Sequence, residues 1–82
     1  MIVEMVYQPS CGACALVREV LLTRLPAHIH FREINAESPE GESFIERYGI
    51  VSTPAVLVDG KLLAEGITGR KEMERVLELI GV

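Results

Sequence analysis

Tryptophan is absent from the 82-residue chain, and its aromatic residues are limited to Tyr7, Phe31, Phe44 and Tyr48. Basic side chains are in the minority, with 8 Lys and Arg against 12 Asp and Glu and a formal net charge of −4. A chain with neither a phosphate-neutralising stripe nor an aromatic stacking platform is poorly suited to nucleic acid. No apolar run approaches the roughly 18 residues needed to span a bilayer. The sequence also enters Ile2-Val3-Glu4-Met5-Val6-Tyr7 without the basic stretch or cleavage site of a secretory leader. The expected compartment is therefore the cytoplasm, with no membrane partner. Tracts rich in Ser, Pro or Gly are missing too, so long linkers are not expected. What remains, with 49% hydrophobic residues, suits one domain over residues 1–82 with one small core.

The pattern of apolar residues changes period along the chain. Ile2 to Tyr7 is apolar on both alternating faces, as in a buried strand. Beyond Pro9-Ser10, helical spacing of Cys14, Val17, Leu21 and Leu25 predicts a helix from about Cys11 to Leu25, halted by Pro26. Ile29 to Ile34 alternates with mixed polarity and reads as an edge strand. Ser38, Pro39 and Glu40 form a helix entry, Phe44, Ile45 and Tyr48 its apolar face, and Gly49 its end. Ala55-Val56-Leu57-Val58 and Lys61-Leu62-Leu63-Ala64-Glu65 flank Asp59-Gly60, the signature of a two-residue hairpin. Met73, Val76, Leu77 and Ile80 then mark a last amphipathic helix ending at Gly81. The order βαβαββα predicts an α/β fold with a four-stranded mixed sheet of order 2-1-3-4. The first and last helices share one face and the middle helix covers the other.

Only two cysteines are present, in Pro9-Ser10-Cys11-Gly12-Ala13-Cys14, where the first strand gives way to the first helix. In a reducing compartment, a pair at this spacing is reactive or metal-binding rather than a structural staple. Unpaired N–H groups of the first helical turn favour a thiolate at Cys11, the candidate nucleophile. Cys14, one turn on and directed at the apolar face, is the candidate resolving thiol. Side chains three apart on a regular helix have Cβ atoms roughly 5–6 Å apart, whereas a disulfide needs roughly 3.5–4.5 Å. Closure of a Cys11–Cys14 disulfide therefore requires non-helical geometry at the cap, which Gly12 is expected to ease. Zinc is the competing chemistry. However, His28 and His30 are separated by one residue rather than the three to five of zinc fingers, and there is no second cysteine pair. No metal and no bound cofactor are expected. Thr53-Pro54 reads either as a proline opening a strand or as a cis bond that leaves the preceding backbone free for a substrate chain. Glu4 reads as a proton acceptor for Cys14 or, more simply, as an end-of-strand residue reaching water.

These motifs, together with Tyr48-Gly49-Ile50 before Thr53-Pro54, the hairpin at Gly60, and Gly66 before the last helix, run nearly end to end. In them the chain resembles the thioredoxin superfamily, particularly its small single-domain thioredoxin- and glutaredoxin-like members. The resemblance implies that Cys11 attacks a disulfide, Cys14 resolves it and Pro54 is cis. It also implies that Thr53 and Gly66, with Gly12 and Ala13, border a groove where a substrate segment lies. The function implied is a monomeric thiol–disulfide oxidoreductase that reduces protein disulfides and is recharged by a thioredoxin reductase-type flavoprotein. Recharge by glutathione and a non-catalytic binding module are the alternatives. The chain departs from the family in three places. It has no Trp before the dithiol, Met5 replaces the buried Asp six residues before the first cysteine, and neither Gly12 nor Ala13 is the usual proline. Gln8-Pro9-Ser10 and Gly66-Ile67-Thr68-Gly69 also differ from the glutathione-binding signatures of glutaredoxins.

Overall fold

A computed structural model describes residues 1–82. Its elements are β1 (Ile2–Tyr7), α1 (Gly12–Arg24), β2 (His30–Asn35), α2 (Pro39–Tyr48), β3 (Ala55–Val58), β4 (Lys61–Glu65) and α3 (Arg70–Ile80). The sheet has the expected order β2-β1-β3-β4. β1 runs parallel to β2 and antiparallel to β3, and β3 runs antiparallel to β4. Two boundaries differ from the periodicity. Cys11 and Leu25 cap α1 rather than belonging to it. β2 lies one residue later than its apolar pattern, because its ends follow the register with β1, from Ile2 opposite His30 to Tyr7 opposite Asn35.

Alternation along β1 divides the interior in two. Val3 and Met5 join Val56 beneath α1 and α3, where Val17, Leu21, Met73 and Leu77 are buried. Val6 joins Ile34, Ala55 and Leu57 on the opposite face, against Phe44, Ile45 and Tyr48 of α2. Having both faces covered explains why β1 carries apolar side chains at nearly every position. Glu4 is the exception, and both sequence readings of it need correcting. It is only 7% exposed, so it does not simply reach water. As the partner of Leu57, it faces α2 rather than α1, so it is not the proton acceptor of Cys14. Arg32, which also pairs with Glu40 at 2.7 Å, holds the Glu4 carboxylate at 2.8 Å. The ion pair supplies the hydrogen bond that a buried carboxylate requires.

Local chemistry sets the ends of the elements. Ser38 Oγ accepts the Gly41 N–H at 3.0 Å as the N-cap of α2, and Gly49 ends that helix in the left-handed region at φ 64°. Asp59 and Gly60 both have positive φ, 48° and 79°, as a type I′ hairpin requires.

Gly41 was not singled out by the sequence patterns, yet it fixes how closely α2 approaches the end of β2. A Cβ built on it would lie 1.9 Å from the Asn35 carbonyl oxygen and 2.7 Å from Ala36 Cα. Alanine in a helix interior normally stabilises relative to glycine by up to about 1 kcal/mol. Here the sign should reverse. Gly41→Ala should destabilise the chain by at least about 2 kcal/mol through displaced backbone, read as a lower urea midpoint. An unchanged or raised midpoint would contradict the close approach.

Candidate active site

The site forms where β1 ends, and sheet pairing determines its neighbours. Val6 lies opposite Ala55, so the loop entering β3 sits beside the turn leaving β1. Gln8 ties the two together. Its carbonyl accepts the Cys11 N–H at 3.2 Å, and its Oε1 accepts the Thr53 hydroxyl at 3.2 Å. The Thr53–Pro54 peptide bond is cis, and Pro54 is buried.

Cys11 is the N-cap of α1, with extended φ −99° and ψ 114°, the non-helical geometry that a Cys-x-x-Cys disulfide needs at its first position. The Cys14 N–H donates to Cys11 Sγ at 3.1 Å. An orphan donor of the first turn thus points at the sulfur expected to attack. Both cysteines are free thiols; Cys11 is half-exposed and Cys14 is 1% exposed. Burial pushes the Cys14 thiol up to about 11, aided by its hydrogen bond with Cys11 and the charge of Cys11; the Gln8 backbone and Arg18 pull it partly back. The two sulfurs therefore differ in access, although they stand one turn apart, and burial holds Cys14 against ionisation. No three His, Cys, Asp or Glu side chains converge as a metal site.

The expected site residues fall into two groups. Cys11, Gly12, Ala13, Thr53 and Pro54 gather around the end of β1 through the pairing just described. Gly66 instead packs against Ser52, where a Cβ would lie 2.8 Å from Ser52 Oγ, and its φ of 65° is itself left-handed. It meets the loop before Pro54 at Ser52. Gly12 needs correction, because it has no positive φ and a Cβ there would meet nothing within 4 Å. It leaves the surface beside Cys11 open but is not required for the turn. The sequence reading missed Glu65, whose carboxylate accepts the N–H groups of Val51 at 2.7 Å and Ser52 at 3.1 Å. Long-range contacts of this kind leave no periodic trace. A depression of about 380 Å³ opens beside this loop, with Gln8, Thr53 and Val51 on its rim.

A model of the thioredoxin domain matches residues 1–78. The chain belongs to the thioredoxin domain family. Among solved structures, a point mutant of the thioredoxin-like protein BC3987 superimposes with a TM-score of 0.75 at 23% identity, over 96% of this chain and 99% of that one. Thioredoxin O2 of Arabidopsis thaliana in its oxidized state gives 0.68 at 18% identity, over 96% and 73%. A thioredoxin from Thermus thermophilus gives 0.64 at 19%, over 99% and 73%. At these identities the likeness is one of fold. No curated protein matches the chain in sequence. No helix is long and apolar enough to cross a membrane.

The raised Cys14 value has a thermodynamic consequence for this thioredoxin-fold chain. Below pH 9.0, the ordinary value, the thiol is protonated whether the chain is folded or not; between there and about 11 only the unfolded chain ionises. The unfolded state then binds fewer protons than the native state, so stability falls as pH rises. Over that window the reduced protein should lose on the order of 2–3 kcal/mol that a Cys14→Ala variant does not lose. Urea unfolding at several alkaline pH values measures the difference, and parallel pH profiles would contradict the burial of a neutral thiol.

Proposed function

We propose that the protein is a thiol–disulfide oxidoreductase that reduces protein disulfides through Cys11 and Cys14. A thioredoxin reductase-type flavoprotein recharges it, and it works as a monomeric single domain in the cytoplasm. The observation that carries this reading is the inequality of the two sulfurs, Cys11 half-buried under an N–H donor and Cys14 1% exposed, where burial raises its thiol.

In the proposed cycle, the Cys11 thiolate attacks one sulfur of a substrate disulfide. The substrate S–S bond breaks, the other substrate sulfur leaves as a thiolate and takes up a proton, and a mixed disulfide remains on Cys11. Cys14 then loses its proton and attacks Cys11 Sγ, releasing the second substrate sulfur. The substrate has gained two electrons and two protons, and the protein holds a Cys11–Cys14 disulfide. Two of the influences that keep Cys14 protonated come from Cys11 itself, its hydrogen bond and its charge. A mixed disulfide removes the negative charge of Cys11, so Cys14 becomes easier to ionise once there is something to resolve. In this reading, Thr53 offers backbone to an extended substrate segment by strand-like pairing, with Gly12 and Ala13 forming the opposite wall and Gly66 supporting the loop.

The roles predict an asymmetry. Cys11→Ser should abolish attack on protein disulfides, whereas Cys14→Ser should attack once and accumulate a mixed disulfide visible by mass spectrometry. Equal trapping by the two variants would refute the roles. Turnover coupled to NADPH through a flavoprotein reductase, and not through glutathione, is expected for recharge.

A further inference from the structure

Resolution requires a thiolate at Cys14, and no carboxylate is among the groups that act on its thiol. Met5 is an apolar core residue under α1, and the buried acid of β1, Glu4, faces the other side of the sheet and is held by Arg32. Apart from Cys11, the charged side chain that acts on Cys14 is Arg18. Arg18 lies four residues after Cys14 on α1, and such positions are adjacent on one face of a helix.

The Arg18 side chain is held in place from two sides. Its guanidinium carbon sits 5.2 Å from the centre of the Tyr7 ring, a cation–π distance. Its Nε also pairs with Glu33 of β2. Tyr7 is the last residue of β1, from which the chain turns into the dithiol. The cation is thereby fixed at the end of the strand from which Cys11 emerges, about one-third exposed rather than free in solvent. Near a protein surface, a fixed charge within several ångströms acts more strongly than it would in bulk water.

We propose that Arg18 is the positioning residue of the resolving step, holding positive charge beside Cys14 so that its thiolate can form without a buried carboxylate base. Glu33 sets the strength of that effect by sharing the charge. The inference rests on the resolving role of Cys14. In chemical terms, the Cys14 S–H proton passes to solvent, and Cys14 Sγ attacks Cys11 Sγ. The bond from Cys11 to the substrate sulfur breaks, and the departing thiolate takes up a proton from solvent. No outside acid, base or oxidant is consumed. The groups facing Cys14 are Cys11 at the N-cap of α1, Arg18 on α1 and the Gln8 backbone, while Tyr7 and Glu33 hold Arg18 from β1 and β2.

Reaction of the reduced protein with 5,5′-dithiobis(2-nitrobenzoate) separates the steps. Cys11 releases a first thionitrobenzoate, and Cys14 releases a second by displacing it from Cys11. Absence of the second phase in Cys14→Ser, with its presence in the native chain, tests the resolving role independently of Arg18. Given that role, Arg18→Met should slow the second phase at pH 7 by roughly three- to tenfold. It should also move the midpoint of that phase's pH profile upward and leave the first phase unchanged. Arg18→Lys should restore most of the rate, and Glu33→Gln should accelerate the second phase. The proposal is overturned if the pH midpoint is unmoved in Arg18→Met, or if the two phases slow equally. It is also overturned if Arg18→Lys restores nothing or Glu33→Gln slows resolution. The lysine and glutamine variants keep the question decidable should Arg18→Met fold poorly.

Discussion

The antiparallel pairing of β1 with β3, which sets Val6 opposite Ala55, places the site. It puts the exit from one strand and the entry to the other at the same end of the sheet, so residues more than forty positions apart become neighbours. Gln8 can then hydrogen-bond both Cys11 and Thr53. Were β3 to run parallel to β1, the Thr53 loop would lie at the far end of the sheet, away from Cys11 and Cys14. The pairing is protected because β1 and β3 are the central strands and both are buried on two faces. The edges, β2 and β4, carry the polar and half-exposed positions.

On that frame, one helix terminus makes two chemically identical side chains unequal. The N-cap position gives Cys11 extended backbone, solvent access and an N–H donor, while one turn later the helix carries Cys14 into the interior. Burial disfavours the charged form of any acid, so Cys14 remains a thiol until its neighbourhood changes. In the proposed cycle, the ordering of the two steps then follows from these positions.

Much of this was legible in the sequence, because the relevant signals are local. Alternation in Ile2–Tyr7, the Ser38-Pro39 entry, the Asp59-Gly60 turn and the spacing of Met73, Val76, Leu77 and Ile80 each rest on contacts within a few residues. Strand order followed from the rules of connection. What stayed hidden depends on distant partners. Glu4 looked like a surface acid because nothing in the sequence pairs it with Arg32, 28 positions away. Gly41 drew no notice in the sequence because its close approach is to the backbone of Asn35 and Ala36. Glu65 entered the sequence reading only as the last residue of a hairpin strand, although it holds the loop before Pro54. Gly12 erred the other way, since a glycine between two cysteines invites a conformational role that its open surroundings do not require.

The inequality of the two sulfurs can be measured directly by timed alkylation of the reduced native chain with iodoacetamide at pH 8, located by peptide mass spectrometry. With Cys14 held near 11 and 1% exposed, only about one in a thousand of its sulfurs is ionised at that pH. Cys11 should therefore be labelled first, and Cys14 slower by roughly a hundredfold or more. Labelling of the two cysteines at similar rates, or of Cys14 first, would contradict the account.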